Sequence, residues 1–543
     1  MVKKGVTIVL LVTFVLSLAA CGGGGSAGST QVAPAAPESG TNVDIVTSDQ
    51  VETVEQGEEH YGGIAKQINI GDNAYPYGLP WNSLQNISIG VQRPVFDTLL
   101  IQYTRGAYLP ALANDYTVSV ENEEVVLNLR DDVYFTDGSH FDAEIVKWNF
   151  EKIAETGYMN VSIDGIEVRG DYQVAVKMKG GFTNGMVHTL ISPSYSMTSK
   201  EYYDKVGETY AGENPVGSGP FMVKERTPGV KVEYERNPNY WQPGKPYLDG
   251  FEVHQITDVM TQNAAMLSTG PDRIDMISSG NGEQVSILSQ SPDLELVFFE
   301  SGVTTLYPSS INPDSPFAKQ EVREAVSFAL DRDLISTAFG YGYLKPATQL
   351  HLPGWLGHFD DERSYYSFDQ AKAKELLAEA GYPDGFSTTL YVGNASQGDL
   401  AVALQSMLGD VGIIVELEFP ESGRFTELRT VTGWEGLLLG SWLNISVMFS
   451  TYELHVDKDY RYYKSTWRPV DEYMPILDAA KATPVLQTEY FQTLGDMFAT
   501  QMITIPIMNS ATTFITNKRI KDAGFGYYGT STTFRPDLMY IDE

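Results

Sequence analysis

The stretch "FSTTLYVGNASQGDLAVALQSMLGDVGIIVELEF", residues 386–419, decides the fold class. It reads as strand, loop, helix, glycine-containing turn and strand, the pattern of a βαβ unit. Its crossover is expected to be right-handed. In open α/β sheets ligands collect outside the carboxyl ends of the strands. That places attention on the loop Gly393–Gln397, with Asn394 and Gln397 as its hydrogen-bonding side chains. The next strand-like run, Gly436 to Ser441, ends at Trp442, Leu443 and Asn444. If it joins the same sheet in parallel, those residues face the same crevice.

Working outward, strand-like and helix-like segments alternate from about Ile64 onward, which argues a mixed α and β architecture. In residues 123–153 a β-rich run, Val125 to Arg130, precedes the turn signal Asp137-Gly138. Asp142 then stands as an N-cap. Val146, Phe150 and Ile153 follow at helical spacing. In residues 365–385, Ser367 and Gln370 have the spacing of a capping box. Gly381 sits where a left-handed C-terminal residue belongs, with Pro383 beyond it.

The chain has 543 residues, enough for several domains or one large multi-lobed unit. Seventy acids against 37 bases give a net charge of −33, which disfavours nucleic acid and anionic lipid head groups as partners. Residues 1–21, MVKKGVTIVLLVTFVLSLAAC, place two lysines before an apolar run of about 15 residues, shorter than the roughly 20 a membrane span needs. This is the layout of an export signal. Its end, Leu18-Ala19-Ala20-Cys21, resembles a bacterial lipobox and holds the only cysteine of the chain. The resemblance implies lipidation of Cys21 and a membrane anchor. Residues 22–63, rich in Gly, Ser, Pro and acids, read as a disordered tether.

Catalytic patterns are missing. "GSGP" at Gly217–Pro220 lacks the length and the lysine of a phosphate loop. The seven histidines show no HExxH or H-x-H spacing, and "DKDYRYY" near Asp457 lacks the glycine and distal glutamate of a calcium loop. No metal site, cofactor or catalytic residue is expected, and the chain is not read as an enzyme.

Five passages together carry a resemblance: "PVFDTLLIQYTRGAYLPALANDYTVS" (94–119), "LRDDVYFTDGSHFDAEIVKWNFE" (129–151), "NPVGSGPFMV" with "ERNPNYW" (214–241), "EVREAVSFALDRDLI" (321–335) and "AKELLAEAGYPDGF" (373–386). In this order they resemble family 5 of the bacterial extracellular solute-binding proteins, the peptide/nickel group serving ABC importers. The resemblance covers about residues 64–530. It implies an α/β, two-lobed periplasmic-binding-protein-like fold (class II, cluster C type) with an extra subdomain. Lobe one would be 64–94, 190–305 and 505–543, the inserted subdomain 95–189, and lobe two 306–504. It also implies a monomer that captures a small molecule or peptide by lobe closure and hands it to an ABC permease and ATPase complex outside the cytoplasm. Its rivals are a non-transport receptor or chaperone, and, more remotely, a hydrolase on the same scaffold. Most of the motifs read as structural. Gly217–Pro220 is expected to shape a chain crossing, and Val322, Ala325, Val326 and Ala329 to lie in the core.

Peptide-binding members resemble one another in an acidic residue after the strand corresponding to 436–441, and dipeptide binders in an arginine in the loop after the preceding βαβ strand. Here "GSWLNISVMFSTYEL" (440–454) has no acid before Glu453, and "GNASQGD" has no base. Buried unpaired charge is costly. A short free peptide is therefore disfavoured against a longer peptide, a saccharide or an amine. Trp442, Trp81 and Trp355 are the aromatic candidates for stacking on such a solute. Asn444, Asn394 and Gln397 are the polar ones, with Tyr75 and Asn281 contributed by lobe one.

Overall fold

The computed structural model describes residues 60–69, 78–81, 92–104, 107–119, 121–156, 163–178, 187, 190–353, 357–359, 367–393, 397–443, 452, 464–466, 470–481, 488–523 and 535–542. Cys21 and the tether reading of 22–59 lie outside them. Among the described residues no helix is long and apolar enough to cross a membrane.

The chain opens with β1 (Ile64–Asn69), the hairpin β2 (Leu100–Thr104) and β3 (Ala107–Pro110), then β4 (Ala113–Ser119), β5 (Glu124–Leu129), α1 (Ala143–Glu155), β6 (Ile163–Gly170) and β7 (Gln173–Met178). There follow α2 (Lys200–Val206), α3 (Glu208–Glu213), β8 (Phe221–Thr227), β9 (Lys231–Arg236), β10 (Gly250–Gln255), α4 (Val259–Leu267), β11 (Met276–Ser279), α5 (Gly282–Leu288) and β12 (Leu294–Pro308). Next are α6 (Gln320–Phe328), α7 (Arg332–Gly340), α8 (Gln370–Glu379), β13 (Phe386–Val392), α9 (Gly398–Gly409), β14 (Ile413–Glu418) and α10 (Ser422–Glu427), which runs into a π-helical turn, Leu428–Thr432. The last elements are β15 (Leu437–Leu443), α11 (Val470–Lys481), α12 (Thr488–Thr500), β16 (Ile505–Asn517), β17 (Ile520–Lys521) and β18 (Tyr540–Ile541).

One ten-stranded sheet, ordered β14-β13-β15-β12-β16-β11-β1-β10-β9-β8, organises these elements. Its middle is the long antiparallel pair β12 and β16, matched from Leu294↔Asn517 to Leu306↔Ile505. Strands β11, β1 and β10 run parallel to one another on one side, and β15, β13 and β14 do so on the other. The expected βαβ unit is present, with β13 and β14 paired in parallel from Phe386↔Ile413 to Tyr391↔Glu418, and β15 joins it in parallel through Leu390↔Leu437. The boundary drawn at 305/306 falls inside β12, which runs on past it to Pro308.

Each half of the sheet has its own apolar core. Val322, Ala325, Val326 and Ala329 are fully buried and pack with Leu390, Val392, Leu437 and Leu439. On the other half Ile68, Met266, Ile277, Val285 and Leu288 form a separate cluster. Full burial of each Val or Leu contributes about 1.5–3 kcal/mol, so these faces fix which side of each helix meets the sheet. A second, four-stranded sheet, β4-β5-β7-β6, carries α1 on its face. Asp142 caps α1 as expected, accepting from Ile145 N at 2.9 Å, and Val146, Phe150 and Ile153 are its buried stripe. The cluster under this sheet also takes in Tyr473, Leu477, Phe491 and Phe498 from α11 and α12, so the inserted stretch shares its core with late helices.

The capping box expected at Ser367 and Gln370 is replaced. Asp369 caps α8, accepting from Lys372 N at 2.9 Å, and Gln370 is the first helical residue. A carboxylate directly before the helix reaches the orphan N–H groups and is also favoured by the helix dipole. The C-terminal expectation holds. Gly381 has φ +90, its N–H bonds Ala378 O, and Tyr382 N–H bonds Leu377 O at 2.8 Å, the paired closure of a Schellman turn.

Gly217–Pro220 is a chain crossing. Gly219 N donates to Val95 O at 2.8 Å, and a Cβ on Gly219 would stand 2.5 Å from the Val95 carbonyl carbon. The arginines of the 321–335 motif are internal staples. Arg323 donates to Met502 O and Gln501 O, and Arg332 to Pro506 O and Ser327 O, fastening α6 and α7 to the start of β16. Burial pulls the Arg332 guanidinium down to about 10.

Candidate functional site: the crevice between opposed strand ends

The register of the long central pair locates the crevice. β11 lies against β16 from Met276↔Thr516 to Ser279↔Thr513, so its carboxyl end points toward the middle of β16. β15 lies against β12 from Leu437↔Pro308 to Leu443↔Gly302, so its carboxyl end points toward the middle of β12. Gly302 itself pairs with Ser510. The two sets of parallel strands therefore aim their carboxyl ends at each other, with Ala511 and Thr512 of β16 between their end positions. Both irregularities of the central pair fall here or just beyond, between Glu300 and Gly302 and between Thr304 and Thr305. A bulge leaves a residue out of the ladder and bends the strand locally.

On one side of this crevice β11 ends at Ser279, and Gly280-Asn281 lead into α5. Asn281 caps that helix. Its Oδ1 accepts from Gln284 N at 2.9 Å, and its own N–H donates to Ser279 Oγ at 3.0 Å. Asn281 is exposed. Tyr75 lies outside the described residues.

On the other side, Gln397 opens α9 without using its side chain as a cap. Trp442 pairs with Val303 one step before β15 ends at Leu443, so its backbone stands next to the expected strand end. Asn394, Asn444 and Trp355 lie outside the described residues. Trp81 is only 3% exposed, its ring edge-on to Trp148 at 5.8 Å and to Tyr203 at 6.1 Å within the cluster under the four-stranded sheet.

The structure adds an aromatic floor that the sequence reading did not single out. Tyr307, Trp434, Tyr391 and Phe425 pack together where β13 ends and β15 begins. Phe425, on α10, lies so close to Gly393 that a Cβ there would stand 2.3 Å from its ring. Gly440 likewise gives room to the Tyr307 ring, whose hydroxyl donates to Ser441 O at 3.3 Å. The Trp434 indole donates to Tyr307 O at 3.1 Å. The available signal was a glycine just after β13 and another inside β15, where a ring can approach bare backbone. Two cations were also missed. Arg424 and Arg429 follow the second strand of the βαβ unit, beyond the loop after its first strand. Arg429 stands 5.3 Å from the Phe425 ring centre, and Arg424 pairs with Glu427 at 3.0 Å. Burial, and Glu418 beyond it, push the Tyr391 phenol above its usual range, so it stays a neutral hydrogen-bonding group.

Among the described residues no cluster of His, Cys, Asp and Glu could hold a metal ion. Behind the β13 end lies the packed aromatic cluster, with Tyr307 and Trp434 buried and Tyr391 and Phe425 half-buried, and the strand ends themselves offer amides and backbone groups, which suits holding a solute rather than transforming it.

Residues 107–457 match the family described as bacterial extracellular solute-binding proteins, family 5 Middle. The glutathione-binding protein GsiB of Salmonella paratyphi A is 33% identical over 324 residues, 58% of this chain and 61% of that protein. The chain thus matches about three fifths of the length of such curated relatives. Among solved structures, DppA from Helicobacter pylori in complex with the peptide STSA superposes with a TM-score of 0.75 at 22% identity, over 89% of this chain and 99% of that one. AgaA from A. tumefaciens R10, in complex with agropinic acid, gives 0.72 at 22% identity over 89% and 99%. These likenesses show the periplasmic-binding-protein fold expected from the sequence. The chain belongs to the bacterial extracellular solute-binding proteins of family 5, a family of binders and not of enzymes.

Proposed function

We propose that this chain is the extracytoplasmic solute receptor of an ABC importer, anchored through lipid on Cys21, and that it takes a peptide-type solute by closing the two halves of its sheet. The observation that carries the reading is the opposition of the β11 and β15 carboxyl ends across a bulged β12–β16 pair. Two halves joined by two long strands hinge where the ladder is interrupted, and a solute touching both halves favours the closed arrangement by its differential affinity. The names of the relatives, a glutathione binder and a receptor holding a peptide, move the solute toward peptide chemistry. Arg424 and Arg429, beyond β14, supply the positive charge that residues 393–399 lack. Trp442, Asn444, Asn394, Gln397, Tyr75, Asn281 and Trp355 are proposed as the lining, with Phe425 and the neighbouring rings as the floor; Trp81 belongs instead to the core under the four-stranded sheet.

The test is native mass spectrometry of the chain from residue 22 onward, compared with its denatured mass, with identification of any released molecule. A stoichiometric peptide or glutathione-like thiol supports the reading. A released saccharide or amine overturns the peptide assignment and restores the neutral or cationic solute. An empty protein with no thermal shift across peptides, sugars and amines overturns the receptor itself.

A further inference from the structure

The turn after α7 crosses from one half of the sheet to the other. Its far side is tied to the β15 half. Asn509 N donates to Lys345 O at 2.9 Å, Ala347 N to Ile507 O at 3.1 Å, and Pro346 bridges Met508. Leu344 and Phe339 pack on the core of that half. Yet Tyr343 packs on the opposite core, the cluster of Ile68, Met266 and Leu288. Its hydroxyl donates to Ser289 Oγ at 3.2 Å, just past α5, and its ring stacks on Phe298 with centres 4.7 Å apart and planes at 19°. Tyr341 makes a second contact. It takes a left-handed backbone, φ +50, and its ring fills the place where a Cβ of Gly282 would stand, 2.5 Å from Cδ2. A non-glycine residue holds that backbone against an intrinsic penalty, so the contacts around it fix it.

Phe298 is two residues before the interruption at Glu300 and Gly302. A rotation of the halves about that bulge must slide Tyr343 against Phe298 and Ser289. We propose that the Tyr341–Tyr343 turn is a third tie across the hinge, beside β12 and β16, and that the Tyr343–Phe298 stack sets the balance between the lobe arrangements. Tyr343 is a positioning residue for capture and touches no solute. This inference rests on the closure reading above.

The test uses the chain from residue 22 onward, which lacks cysteine, with labels at Lys224→Cys on β8 and Val402→Cys on α9, one in each half. Distance distributions are measured without solute and with glutathione or a tripeptide mixture as probes. Phe298→Ala is the leading variant, because Phe298 is 42% exposed and its removal opens no core. It is expected to shift the ratio of arrangements about fivefold, the size of one aromatic pair. Tyr343→Ala should shift it the same way, and Tyr343→Phe, which loses only the Ser289 bond, less. Wild-type distributions in both variants, while the parent still responds to a probe, overturn the tie and leave closure standing. A parent with one distribution that no probe moves overturns closure, and the tie with it.

Discussion

The Trp241 indole donates its Nε1–H to Oδ2 of Asp97 across 2.8 Å, joining residues 144 positions apart. Ser218 Oγ donates to the same oxygen at 3.1 Å, and Arg130 lies 4.7 Å from the Trp241 ring centre. Three separated passages, PVFD, GSGP and NPNYW, thus meet at one carboxyl group, and a fourth, LRDD, reaches the Trp241 ring. Asp537, itself paired with Arg535, stands close enough to repel it.

That setting predicts a pH effect. Burial, reinforced by Asp537, outweighs the donated hydrogen bonds and pushes the Asp97 carboxyl up from 3.8 to about 7. Between those values the native chain holds a proton that the unfolded chain has lost. The contribution to stability is therefore full below about pH 4 and is lost as pH rises to 7. Roughly 4 kcal/mol is its upper bound, since the side chain keeps some exposure. Asp97→Asn should flatten the difference in urea midpoint between pH 5 and 8 relative to the parent. Parallel pH profiles for the two proteins would refute the assignment.

How far the sequence could be read follows from where its signals are local. The 386–419 unit, the α1 cap and the Gly381 terminus were legible because periodicity, a capping carboxylate and a glycine act within a few residues. Asp97 was legible only as part of a motif, since its partners at Ser218, Tyr240 and Trp241 depend on the finished fold. The aromatic floor was missed for the same reason. Phe425 and Trp434 reach Gly393 and Tyr307 only once β13, β14 and β15 lie side by side. The Asp369 cap was missed because Ser367 and Gln370 offered a fitting pattern two residues away.

Gly219 tests the chain crossing. A methyl group there meets the Val95 and Pro94 backbone at 2.5 to 2.7 Å, and backbone cannot rotate away as a side chain can. Gly219→Ala should cost about 3 kcal/mol and lower the melting temperature by several degrees. Gly138→Ala is the comparison. It has positive φ and nothing within 4 Å, so only backbone strain acts, about 1 kcal/mol. Equal losses in the two variants would show that contact with Val95 is not the cause.

Helix α4 buries polar groups where apolar ones are usual. Gln284 Nε2 donates to Gln262 Oε1 and Asn263 Oδ1, both at 2.9 Å, and all three residues are buried. Gln284→Leu leaves two acceptors without that donor and should cost about 2–4 kcal/mol in urea unfolding. Replacing Gln262, Asn263 and Gln284 together by Leu should recover part of that loss, because only the Ile256 carbonyl, which Gln262 Nε2 reaches at 2.7 Å, is then left without its donor. A triple variant as unstable as the sum of its parts would mean that packing, not hydrogen bonding, governs the site.

Gly393 and Phe425 separate floor from fold. Phe425→Ala empties the place beneath the β13 end but removes a ring that belongs to the half-buried margin of its cluster, so the loss in stability should stay near 1 kcal/mol. The loss in binding should be larger, about tenfold, because the ring packs against Gly393 at the carboxyl end of β13 and against Arg429. Gly393→Ala drives the ring away from the opposite direction, as its Cβ would stand 2.3 to 2.5 Å from three ring atoms. If the floor holds the solute, both variants lose the copurifying molecule in native mass spectrometry while keeping their melting temperature within a few degrees. Full occupancy in both would place the solute elsewhere along the opposed strand ends, nearer Asn281 and the β11 half.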